Sequence, residues 1–152
     1  MNELVTHGAA GVILPREVIQ SNINVAIAKM PDLISFDTTD PANELLALRC
    51  AVDMGVPAAQ RETWRGKVCK WWVGLYEFPD EKSGEMVSRE CLVLINDQDQ
   101  LLRLTGWPAI NSWCMLLRAA GAERCCEGIA VRVIRRKSST TMGSYWQVIP
   151  DA

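Results

Sequence analysis

Apolar positions recur along this chain with two textures, and the change falls near residue 63. In Arg16–Lys29, Val18, Ile19, Ile23, Val25 and Ile27 fit neither a helical period nor strict alternation. A helix and a strand pair both stay open there, and Pro31 ends the segment. Asp40-Pro41 reads as an N-cap followed by proline in the first turn. The stripe Leu45, Leu46, Leu48 and Val52, stopped at Gly55, then predicts an amphipathic helix over 41–54.

Beyond Thr63 the pattern is that of strands. Residues 64–78 are rich in Val, Trp and Tyr, and the internal Gly66 and Gly74 favour a bend or bulge. The turn Asp80–Gly84 leads to a second strand over 86–96, with Val87, Arg89, Cys91, Val93 and Ile95 alternating against Ser88, Glu90, Leu92 and Leu94. Asp97-Gln98-Asp99 turns the chain into a third strand over 100–105. Gly106-Trp107-Pro108 opens a helix whose apolar face is Ile110, Trp113, Cys114 and Leu117, closed by Gly121. Residues 129–137 and 143–149 read as a final hairpin across the polar loop 138–142.

The order strand, strand, strand, helix, strand, strand predicts a mainly β protein. It is that of the OB-fold, a five-stranded Greek-key barrel with a helix between strands 3 and 4. The predicted division is an N-terminal extension over 1–60 and the OB-fold domain over 61–152.

Charge sharpens this picture. The 152 residues carry a net −2, but residues 1–60 hold three basic and seven acidic side chains (3 − 7 = −4) and residues 61–152 thirteen and eleven (13 − 11 = +2). The strand-rich part is the more cationic. No apolar run reaches the roughly 18–20 residues that cross a bilayer. The start of the chain lacks the basic, then apolar pattern of a secretory signal, so a cytoplasmic protein is expected. Six cysteines without CxxC spacing and the single His7 predict no metal site and no cofactor; the cysteines read as small buried hydrophobes. Asp97 and Asp99 read as turn residues rather than metal ligands. No nucleophile, P-loop or zinc-enzyme motif is present, and the expectation is a protein that is not an enzyme.

Binding has more support. Arg132, Arg135, Arg136 and Lys137 end the fourth strand, and Tyr145 and Trp146 open the fifth. The first strand repeats the combination in Lys67, Lys70, Trp72 and Tyr76, with Trp71 assigned to the core unless a bulge swaps the pair. Arg89 and Arg103 extend the basic set. Cations neutralise phosphates and rings stack on unpaired bases, so these residues are candidates for a single-stranded nucleic-acid surface.

The chain also resembles the OB-fold single-stranded DNA-binding proteins of phages and integrative mobile elements. The likeness runs from about Phe36 to Ile149. It rests on the leader Phe36–Pro41 before a leucine helix, Arg65-Gly66-Lys67-Val68, and the acidic turn Asp80–Glu85. Leu92–Ile95 before a D-x-D turn, the helix ending in Ala-Gly, the basic strand Val131–Lys137 and the close Gly143–Val148 complete it. The turn at Asp97–Gln100 lacks the family's glycine, and the loop before Gly143 has Ser and Thr where relatives carry arginines. The resemblance implies sequence-tolerant single-stranded DNA binding in phage or mobile-element replication and recombination, inside a bacterial host cell. A homo-oligomer is compatible with it, a membrane is not expected, and the acidic tail of bacterial single-strand binders is missing. The alternative is an OB-fold protein–protein interaction module of a phage or mobile-element complex. A small-molecule binder or enzyme subunit ranks below both.

Overall fold

In the computed structural model, which describes residues 14–138 and 143–151, the chain builds five strands and five helices. Helix α1 (Arg16–Lys29) resolves the ambiguous first segment as helical and buries Ile19 and Ile23. A 3-10 turn at Pro41–Asn43, capped by the Asp40 side chain, leads into α2 (Glu44–Val52). Two short helices that periodicity does not announce are α3 (Ala58–Arg61) and α5 (Ala122–Glu127). Helix α4 (Trp107–Ala120) follows the expected apolar face.

The strands are β1 (Arg65–Pro79), β2 (Met86–Asn96), β3 (Leu101–Thr105), β4 (Ile129–Lys137) and β5 (Ser144–Pro150). All pairings are antiparallel, in the order β3-β2-β1-β4-β5. A register shift between Val68 and Lys70 marks a bulge in β1, which lets Val68 and Trp71 both face the main core.

The expected OB-fold barrel is not formed. A barrel of this strand order would need β3 and β5 to pair, yet they are the two edges of an open sheet. The outward N–H of Val148 in β5 donates instead to Ser112 Oγ of α4 at 2.9 Å. The helix occupies the place where the sheet would have closed. With the barrel goes the likeness to the phage and mobile-element family, whose fold it was to share.

The physical reason lies in β2. Leu92, Val93, Leu94 and Ile95 are each at most 1 % exposed, so the strand is buried on both faces. One face joins α1 and α4 in the main core, where Ile19, Ile23, Trp71, Val73, Leu92, Leu94 and Trp113 pack together. Trp71 and Trp113 meet edge to face with ring centroids 5.2 Å apart. The other face, Cys91, Val93, Ile95 and Leu101, is covered by Cys50 and Leu46 of α2 with Phe36. The molecule is a mixed α/β sandwich: helix, open antiparallel sheet, helix. No helix among the described residues is long and apolar enough to cross a membrane.

Candidate functional site

The residues expected to bind a single strand are dispersed by this fold. In the last hairpin, Arg135 lies opposite Trp146 and Arg136 opposite Tyr145. Strand alternation therefore sends Arg135, Lys137 and Trp146 to the core side of the sheet, and Arg132, Arg136 and Tyr145 to the other. The Trp146 ring is half-buried against the main core with the Arg135 guanidinium 5.2 Å from its centroid. Arg135 also donates to Ser144 Oγ, and Arg136 to the Gln147 side chain.

The β1 set is no more available. Trp72 and Tyr76 are half-buried against the core under α2. The Tyr76 ring is taken on one side by Arg103, 4.0 Å from its centroid, and stacks on Phe78 at 5.5 Å. Arg103 itself is 2 % exposed. Its guanidinium donates to the Asp53 carbonyl and to Cys91 Sγ, which makes it an internal strut. Arg89 pairs with Glu90 at 3.3 Å, and the Lys67 stem crosses Gly128. Lys70 is exposed on the Trp72 side of β1. No set of free rings for stacking bases results, so single-stranded DNA binding, its replication and recombination roles and the accompanying oligomer lose their basis. His7 and most of the loop 138–142 lie outside the described residues. Among the described residues no three His, Cys, Asp or Glu side chains converge as a metal site would require.

A different site emerges from the length of β1. The strand has 15 residues, but β4 pairs only with Arg65–Val68. Past Val68, β1 has β2 on one side and, among the described residues, no strand on the other. The loop at Ser35 covers the first part of this bare edge: Ser35 N–H donates to the Trp71 carbonyl at 3.0 Å, and Ser35 Oγ accepts from Trp71 N–H at 2.9 Å. Trp71 thus points both backbone groups away from β2. Backbone direction alternates along an antiparallel strand, so Val73, Leu75 and Glu77 do the same.

Those three residues line a groove of about 670 Å³. Ile23 and Ile27 of α1 form one wall, Ala47, Ala51 and Val52 of α2 the other, and Met86 lies at the β2 end. On the α2 side the Trp72 indole lies over Gly74; a Cβ there would meet the ring at 2.2 Å, which is why only glycine fits. Ser35 closes one end. The Arg16–Glu77 ion pair, 3.4 Å, stands at the other. Val73, 1 % exposed, and Gly74 form the buried floor of the groove, and the accessible edge runs from Leu75 to Glu77, roughly 7 Å at the usual rise per residue. Apolar surface continues outside: Leu45, Leu48 and Val52, on one stripe of α2, are 80 %, 56 % and 63 % exposed, and Met86 is 64 % exposed.

Sequence reasoning missed this groove. Its carriers are backbone groups and small or aliphatic side chains, which carry no chemical motif. The available signal was a mismatch of lengths: a strand of 15 residues facing partners of 11 and nine. The chain matches no family model, no curated protein and no solved structure, so the groove itself carries the functional reading.

Proposed function

We propose that this protein is a docking module that accepts an extended segment of a partner protein as an added strand on the free edge of β1. The observation that carries the proposal is the edge at Leu75 and Glu77, paired on that side with no strand among the described residues and sunk between two largely apolar walls. A sheet edge offers a row of main-chain donors and acceptors in register, which supplies affinity, while alternate side chains of the guest enter pockets above and below the sheet. Here the guest's two faces would meet Ile27 on one side and Trp72, Ala47 and Ala51 on the other. A guest with small or aliphatic residues at successive positions fits both. The protein acts in this reading by binding, which the largely aliphatic lining supports. A reducing, cytoplasmic setting belongs to the same proposal; the fully buried thiols of Cys50, Cys91 and Cys125 serve as core filler, which supports it.

The test uses the capped peptide Ser-Val-Thr-Val-Leu-Val-Ser and the variant Leu75→Pro. Proline is tolerated where the strand N–H faces outward, so the β1–β2 ladder should survive. The peptide should protect the amides of Leu75 and Glu77 from hydrogen exchange. Leu75→Pro should weaken binding by about tenfold, the worth of one hydrogen bond plus the lost approach of the guest. Binding that ignores Leu75→Pro, or leaves those amides unprotected, would overturn the proposal.

A further inference from the structure

The ends of the groove add something that the edge alone does not. Residues 34–44 and 77–86 frame it, supplying Ile34, Thr38, Glu77 and Met86 to its lining. Between them these two segments hold seven acidic side chains, Asp37, Asp40, Glu44, Glu77, Asp80, Glu81 and Glu85, and one basic, Lys82. With Arg16, which also lines the groove, the balance is 2 − 7 = −5. Six of the seven carboxylate residues are exposed, with Asp80 half-buried.

Most of this charge is unopposed by cations. Among the described residues, Arg16–Glu77 is the ion pair within the frame; Asp37 is held by Thr39, and Asp80 by Ser83. These hydrogen bonds stabilise the ionised form and hold both carboxyls below the ordinary aspartate range. Each cluster thus contains one aspartate, Asp37 or Asp80, whose ionised form is favoured by its hydrogen bonds. Arg49, the nearest other guanidinium on α2, is spent on Asp53 and Asp99.

We infer, on the reading of the β1 edge as a strand-accepting groove, that the guest is an apolar segment flanked by lysine or arginine. The apolar lining selects the middle of the segment, and the two acidic clusters select its flanks. Like charges on a guest would be repelled from both ends, so an acidic-flanked segment of equal apolarity is discriminated against. A rim charge acts chiefly on association and weakens with salt, whereas the edge hydrogen bonds do not.

Three capped peptides separate the two levels of the argument. They share the middle Val-Thr-Val-Leu-Val and carry Lys-Lys, Ser-Ser or Glu-Glu at each end. Titrated against the full chain at low salt, the lysine form should bind about tenfold or more tighter than the glutamate form, and raising the salt to ~0.5 M should shrink that ratio to about twofold. The double variant Glu81→Lys with Glu85→Lys, on the exposed β1–β2 turn, should narrow or invert the preference. If all three peptides bind equally and all lose affinity in Leu75→Pro, the charge selection is wrong and the strand-accepting groove stands. If the lysine peptide binds as tightly to Leu75→Pro as to the parent chain, its attraction is nonspecific and both readings fall.

Discussion

Replacing Ser112 by alanine tests whether the sheet is open at β5. Ser112 is 8 % exposed and Val148 2 % exposed, so the hydrogen bond between them is sealed from water. The Ser112 hydroxyl donates to the Ala109 carbonyl at 2.8 Å and accepts from the Val148 amide at 2.9 Å. Alanine leaves that amide buried without a partner, which costs about 1–3 kcal/mol. Alanine is also the better helix former, which returns about 0.5 kcal/mol. The net loss should be ~1–2 kcal/mol. At this chain length each kcal/mol moves Tm by roughly 2–4 °C, so Ser112→Ala should melt about 2–8 °C lower. Urea unfolding gives the free energy, and hydrogen exchange gives the site: the Val148 amide should lose protection beyond that of its neighbours. An unchanged Tm with unchanged protection at Val148 would refute the reasoning. It would mean that this amide bonds elsewhere, as it would to β3 in a closed barrel.

Two further predictions follow from the packing. Gly55 has φ +69°, and a Cβ there would lie 2.3 Å from the Leu101 carbonyl oxygen, so Gly55→Ala should cost at least ~2 kcal/mol by urea unfolding. Gly84, with φ +75° and open space around it, is the control and should lose only about 1 kcal/mol. Burial pushes the Cys91 thiol up to about 11 and the Cys50 thiol up to about 12. A thiol reagent at neutral pH, read by mass spectrometry, should therefore label exposed Cys126 in the native protein, with Cys50 and Cys91 reacting only on unfolding.

Local structure was legible in the sequence, and its assembly was not. Alternation and turn residues located the five strands, and the spacing of Ile110, Trp113 and Leu117 located α4. These are short-range signals. Barrel closure depends on whether β3 meets β5, which no local pattern encodes; here α4 takes the outward amide of Val148 instead. The run Leu92–Ile95 did hold a clue, since four consecutive apolar residues need cover on both faces and a small barrel covers only one. The basic and aromatic residues misled for a related reason. Arg103 reads as a surface cation, but its position beneath α2 makes it a buried strut on Tyr76 and the Asp53 carbonyl. The groove was invisible because an unpaired strand edge is defined by what fails to sit beside it.

The recess of the β1 edge also decides what state its guest must be in. A bare edge on a flat surface can recruit any folded sheet, including another copy of the same protein, and so invites aggregation. Here α1 and α2 rise on both sides of Val73–Glu77. Another sheet brings its own layers and cannot pass between those walls, whereas a lone polypeptide can. On the proposed reading, the guest is a chain that is unstructured before it arrives. Ordering each residue of such a chain costs about 1–2 kcal/mol, which holds the affinity of a short guest to a modest level and keeps its exchange rapid. On that reading, the two helices that wall the site also disfavour edge-to-edge self-association and keep binding in the reversible range.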